Sequence, residues 1–292
     1  MARPFRFAVN MLTPTDGPEW RRKCRRAEEL GYDVIQVPDH LGMMAPFPAL
    51  MAAAEVTERP RLGTFVLNAA FWNPALLARE IATSDALTGG RLEIGIGAGY
   101  VKEEHDRAGM EFRTPGGRVA HLRHTVEEVD RLLRDDGHLP KTAHKPRPPL
   151  LIGGNGDKVL QLAAEHADIV AFTGARDSRD GLQVLTAEEV DGRIAAYRGV
   201  AGGRSDEQEL NLLLQLVAVT DDREAAVKEL LPRVPHLSVE QVLDLPLLAV
   251  GTVQAIAGQL REQRERYGFS YFTVLDPYLE TFAPVMDELR KG

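Results

Sequence analysis

Short apolar runs alternate with amphipathic segments from one end of the chain to the other, and this alternation limits the possible folds severely. RFAVNMLT (6–13), YDVIQV (32–37), RLGTFVLNA (61–69), RLEIGIG (91–97), PPLLIGG (148–154), DIVAFT (168–173), ELNLLLQLVAVT (209–220) and YFTVLD (271–276) read as strands. Helical stretches separate them. PEWRRKCRRAEELG closes at Gly31, a third helix opens at Asn73 with Pro74 in its first position, and TVQAIAGQLREQRERYG runs from Thr252 to Gly268. Each carries the start and stop signals of a capped helix. Strands that are apolar on both faces indicate an all-parallel sheet covered by helices. Eight strand–helix units close a barrel, which typically needs roughly 250 residues. The expected fold is therefore α/β, a (β/α)8 TIM barrel formed as one domain over 1–292. The excess length falls in two insertions, DDGHLPKTAHKPRP (135–148) and a segment at about 221–250. An open doubly wound sheet is the alternative, but NMLTPTDG stands after the first strand where that fold carries a glycine fingerprint.

Composition narrows the partners. A net charge of −8 argues against nucleic-acid binding, which uses a basic face. The richest apolar stretch, LNLLLQLVAV, is interrupted by Asn211 and Gln215, short of the roughly 20 residues a membrane helix requires. MARPFRFAVNM has no signal-peptide core, and Cys24 is the single cysteine, so a cytoplasmic protein without disulfides is expected. Cys24 follows Trp20 by one helical turn and reads as core packing.

Function in such a barrel sits at the carboxyl ends of the strands. Pro38-Asp39-His40 ends strand two, Asn68 ends strand three, and Gly95, Gly97, Gly99 and Tyr100 end strand four. Gly153-Gly154-Asn155-Gly156 ends strand five, and Thr173-Gly174 ends strand six. The glycines fail the dinucleotide fingerprint, because Tyr100 or Lys102 stands where its third glycine belongs. Glycines at a barrel mouth instead let a flat ligand lie against the backbone. Gly154, Asn155 and Gly156 lead into a helix whose free N–H groups suit a phosphate, although a plain strand-to-helix turn reads equally well and Asp157 competes for the same amides. His40 beside Asp39 is a candidate proton donor or orienting group, against a packed core histidine. His121, His124, Glu127 and Glu128 have ligand-like spacing, but Arg118 and Arg123 among them indicate a solvated helix face, so no metal is expected.

The order of these motifs resembles the luciferase-like flavin and deazaflavin oxidoreductases. VPDHL, LGTFVLN, NPALLAREIATSDALTGGRLEIGIGAGY, EEHDRAGMEF, PGGRVAHLRHTVEEV and GTVQAIAGQLREQRERYGFSYFTV carry the likeness over nearly the whole chain. The branch using coenzyme F420 is the most similar in appearance. That resemblance implies a barrel mouth holding a flavin-like ring with a tail ending in phosphate. Asp39 and His40 would lie beside the reactive edge of the ring as the catalytic residues. Phe65 and Val66 would flank a cis peptide bulging against it, and Asn68 would bind its polar edge. Gly97, Ala98, Gly99 and Tyr100 would pass near the ring or tail, and Gly154, Asn155, Gly156 and Thr173 would meet the phosphate. Met44 and Tyr100 depart from the deazaflavin-dependent sugar-phosphate dehydrogenases, which carry tryptophan and glutamate there, so a larger and less polar organic substrate is expected. A homodimer is implied as well. The alternatives are a monooxygenase using flavin mononucleotide, FMN, from a partner reductase, and a non-redox barrel for a phosphorylated ligand.

Overall fold

The computed structural model describes residues 3–178, 181–228 and 230–291. Its strands are β1 (Arg6–Asn10), β2 (Val34–Val37), β3 (Arg61–Thr64), β4 (Leu67–Asn68), β5 (Leu92–Gly97), β6 (Leu150–Gly153) and β7 (Ile169–Phe172), then β8 (Ala175–Ser178), β9 (Gly181–Val184), β10 (Glu209–Leu214), β11 (Leu216–Val219), β12 (Leu248–Gly251) and β13 (Phe269–Leu275). The helices are α1 (Gly17–Glu29), α2 (Pro46–Ala54), α3 (Pro74–Leu87), α4 (Lys102–Arg107), α5 (Pro115–Arg134) and α6 (Asp157–His166), then α7 (Ala187–Ala201), α8 (Arg223–Val227), α9 (Val239–Leu243), α10 (Val253–Tyr267) and α11 (Leu279–Arg290).

The staves follow the order β3, β2, β1, β13, β10, β7, β6, β5, all parallel, and β5 pairs back onto β3 to close the ring. This is the expected (β/α)8 barrel. Alternation along β1 shows why both faces are apolar. Phe7 and Val9 point outward into the large core shared with the helices, while Ala8 joins Val34, Phe65, Leu151, Ile169, Ala171, Leu213 and Tyr271 inside. Helix ends follow the sequence signals. Asn73 caps α3, Thr186 and Glu189 form a capping box on α7, and Thr252 and left-handed Gly268 bracket α10.

Two expectations need correction, and two connections take shape only in the structure. The expected strand 61–69 is two pieces, β3 and β4, separated by the Phe65–Val66 bond, which is cis as the resemblance implied. The expected strand 209–220 is also two pieces. After Leu214 the chain leaves the barrel, Gln215 N–H donates to the Leu247 carbonyl, and β11 pairs with β12 in a separate small sheet. The segment at 221–250 is thus a structured insertion, with α8, α9 and β12 packed around Val227, Val242, Leu245 and Leu248. Between the sixth stave and α7 stands an antiparallel hairpin, β8–β9.

The amino end of the barrel is closed by charge. Glu93, 2% exposed, accepts from Arg6 and from the Tyr271 hydroxyl, and Arg61 lies 3.7 Å away. Arg6 also pairs with Glu209, and Gln36 donates to the Tyr271 oxygen. A charged network at this end serves the fold and leaves the opposite rim for chemistry.

Candidate active site

The carboxyl rim gathers side chains from β1, β2, β4, β5, β6 and β7. His40, just past β2, presents Nδ1 to Oε1 of Glu104 at 2.8 Å. The same oxygen accepts the Leu41 backbone N–H at 3.2 Å. Glu104 lies in the first turn of α4 and is buried, while His40 keeps 28% of its side chain exposed. The Tyr100 ring meets the imidazole edge-on with centroids 5.9 Å apart and is otherwise exposed.

Asp39 does not serve His40 by hydrogen bond. Its Oδ2 accepts from Trp72 Nε1 at 2.8 Å and from the Asn68 backbone N–H at 3.2 Å, so it holds the turn after β4 in place. Burial pushes its carboxyl above the usual carboxylate range, with Glu104 adding to the rise, while Trp72, Asn68 and His40 oppose it. Asn68 Oδ1 accepts from Ala70 N–H and caps the short turn that follows.

The glycine run has a definite steric cause. Val66, half-exposed at the mouth, points across the rim, and a Cβ on Gly97 would lie 2.7 Å from its Cγ2. A Cβ on Gly95 would lie 2.2 Å from the Thr64 carbonyl oxygen. Gly99 has φ +71°, and a Cβ there would strike Asn68 Oδ1 at 2.3 Å. The glycines therefore make room for the Phe65–Val66 bulge and for Asn68. Phe65 is buried, and its carbonyl accepts weakly from Asn10 Nδ2 at 3.4 Å. Asn10, 3% exposed at the end of β1, keeps Oδ1 without a protein partner.

Around the rim, Asn155 Nδ2 donates to Thr173 Oγ1 at 3.0 Å, tying β6 to β7. Gly156 begins α6 with no side-chain cap, and Gly154 has φ +147°. Asp157 does not close this end, because its carboxylate turns to Arg193 of α7. Arg193 also donates to the Asn155 carbonyl at 3.4 Å, bringing a guanidinium beside the turn. Ala98 and Trp72 border a cavity of about 490 Å3 whose wall includes Phe71, Met110, Arg113 and Arg118.

Sequence reading missed Asn10, Trp72, Glu104 and Arg193. Only Glu104 carried a faint signal, as one of two adjacent acids beyond Tyr100, and nothing local distinguishes it from Glu103. His121 faces the Ala69 carbonyl, and Glu127 and Glu128 pair with Arg123 and Arg131. Cys24 is fully buried, and burial pushes its thiol up to about 12, as befits packing.

Fold and rim together define a parallel (β/α)8 barrel with its polar side chains set at the carboxyl ends of the strands. The chain belongs to the luciferase-like monooxygenase family, whose model matches residues 2–271. It is 34% identical to a 5,10-methylenetetrahydromethanopterin reductase of Archaeoglobus fulgidus, over 59% of this chain and 54% of that protein. It is 29% identical to an F420-dependent glucose-6-phosphate dehydrogenase of Kribbella flavida, over 94% of this chain and 91% of that one. Among solved structures, an F420-dependent secondary alcohol dehydrogenase in complex with an F420-acetone adduct superposes with a TM-score of 0.80. It has 16% identity and covers 99% of this chain and 100% of its own. That likeness concerns the fold.

Proposed function

We propose that this chain is an oxidoreductase that uses the deazaflavin coenzyme F420 to move a hydride to or from an organic substrate. The observation that carries the reading is His40 at the rim, partly exposed and held by buried Glu104 beside the Val66 bulge. A histidine so placed can take or return a substrate proton near neutrality. The residues fit a flat polar ring, because Asn10 Oδ1 is a buried acceptor without a protein partner at the mouth and the half-buried Val66 stands at the same rim. Phe65, Val66, Asn68, Gly97, Ala98, Gly99 and Tyr100 would border the ring. Gly154, Asn155, Gly156 and Thr173, with Arg193 nearby, would hold the tail phosphate at the uncapped start of α6. The coenzyme, when bound, supplies hydride chemistry, and the protein supplies position, acid–base help and electrostatics.

Two features bear on the substrate. Met44 and Tyr100 stand where the sugar-phosphate dehydrogenases carry tryptophan and glutamate, and the cavity beside Trp72 sets the apolar Phe71, Pro74, Ala98 and Met110 beside Glu111, Arg113 and Arg118. A larger organic molecule suits this mouth better than a sugar phosphate. We further take the active unit to be a cytoplasmic homodimer. The α3 surface leaves Leu76 and Leu87 51% and 72% exposed, and light scattering would report the assembly.

Fluorescence titration with F420 and with FMN tests the reading. F420 is expected to bind at least tenfold more tightly, a difference of about 1.4 kcal/mol. Equal or reversed preference would favour a flavin monooxygenase, and binding of neither would favour a non-redox barrel. His40→Ala should keep cofactor affinity and lower turnover about 10²–10⁴-fold. Turnover within twofold of the parent would reduce His40 to packing.

A further inference from the structure

We propose that Glu104 is the positioning residue of this site, holding His40 as its Nδ1–H tautomer and so reserving Nε2 for the substrate proton. The proposal rests on the oxidoreductase reading for its purpose but on the geometry for its content. Both polar contacts of the Glu104 carboxylate that involve the rim converge on one atom. Oε1 lies 2.8 Å from His40 Nδ1 and accepts the Leu41 N–H at 3.2 Å. An ionised carboxylate offers only acceptor sites, so the hydrogen shared with the imidazole belongs to Nδ1. The two ring nitrogens of a histidine are thereby made different, and which one handles a proton is set by the bond the other makes.

No other charged group is placed to do this among the described residues. The groups around His40 are Glu104 from α4, Tyr100 from the end of β5, and Asp39 from its own strand end. Asp39 Oδ2 is committed to Trp72 and Asn68, and Tyr100 meets the ring edge-on as a steric stop. Orientation of the imidazole therefore falls to a residue 64 positions away in the chain. Glu104 is also anchored from behind. The α4 turn that carries it is fixed by His105, fully buried between Phe71 and Phe112, with Nδ1 at 3.0 Å from the Val101 carbonyl. A carboxylate on so fixed a turn can hold an imidazole without a large loss of its own side-chain freedom.

Because both contacts use Oε1, Glu104→Gln can reproduce them with its amide carbonyl, whereas Glu104→Ala removes both. This separates geometry from charge. The experiment is nitrogen NMR of 15N-histidine-labelled full-length protein without cofactor, at alkaline pH where the imidazole is neutral. The His40 signals are identified by their loss in His40→Ala. The parent protein should show Nδ1 protonated and Nε2 bare. Glu104→Gln should keep that signature, and Glu104→Ala should lose it in favour of a mixture. With substrate and F420, Glu104→Ala should lower kcat roughly tenfold to a hundredfold with KM nearly unchanged. The same substitution in a His40→Ala background should cost nothing further, because the two residues act as one unit. A parent protein with Nε2 protonated, or a tautomer unmoved by Glu104→Ala, would overturn the proposal. Should Glu104→Ala fail to fold, the parent signature and its retention in Glu104→Gln still decide it. Failure of F420 to bind would overturn the cofactor reading and leave the NMR result standing.

Discussion

Replacing Gly97 by alanine puts the steric account of the glycine run to the test. Gly97 is not among the residues with positive φ, so its backbone admits an alanine without strain. On conformational entropy alone, Gly→Ala should then stabilise by about 0.4–1 kcal/mol through the unfolded chain. The added Cβ, however, lies 2.7 Å from Val66 Cγ2, when carbon atoms in contact prefer about 3.5–4.0 Å. Val66 is β-branched and has few alternative rotamers with which to yield. Overpacking of this kind costs about 1–3 kcal/mol. The net expectation is a loss of about 1–2 kcal/mol, or roughly 2–3 °C in Tm for a chain of this size. Thermal unfolding without cofactor measures it. Two companions sharpen the result. Val66→Ala in the Gly97→Ala background removes the colliding methyl groups and should restore most of the loss. Gly95→Ala should be far worse, since its Cβ would lie 2.2 Å from a backbone carbonyl that cannot rotate away. F420 affinity should fall at least tenfold in Gly97→Ala and recover only partly with Val66→Ala, because the bulge itself is then trimmed. A Gly97→Ala protein as stable as the parent, or one that Val66→Ala does not rescue, would refute the reasoning.

Asp39→Asn tests the raised carboxyl. Burial makes the folded protein hold this proton more tightly than the unfolded chain, so ionisation costs stability at high pH and the cost disappears as pH falls through the raised value toward about 3.9. Asparagine keeps an acceptor oxygen for Trp72 and Asn68. The variant should therefore have the higher urea midpoint at pH 8, with the gap closing on acidification, and a lower midpoint at pH 8 would contradict this. At the other end of the barrel, Glu93→Ala leaves Arg6 and Arg61 without their shared carboxylate and should cost about 3–5 kcal/mol. Cofactor affinity of the folded variant, measured by the same titration, should stay within twofold of the parent, and a larger loss would mean the floor network reaches the rim.

What the sequence determined by itself was whatever is encoded within a few residues. Eight apolar runs alternating with amphipathic helical stretches define a parallel barrel because periodicity and end signals are local. Asn73-Pro74 and Thr252 are read correctly without knowing what their helices touch. The rim was legible for the same reason, since strand ends in a barrel can be counted along the chain. Tertiary structure decided the rest. ELNLLLQLVAVT is evenly apolar, so nothing within it marks Gln215 as the point where the strand leaves the barrel. The Leu247 carbonyl and β12, more than 30 residues on, make that choice. His40 was visible as a candidate, but its partner was not, because Glu103 and Glu104 are chemically identical and only the setting of α4 brings one of them to the imidazole. Asp157 reads as an obstacle to an anion until Arg193, 36 residues further, turns its carboxylate aside. The glycines show the same division. Their presence is written in the chain, but what each must avoid is Val66, Thr64 or Asn68 on a neighbouring strand, and distances across a sheet exist only once the barrel has closed.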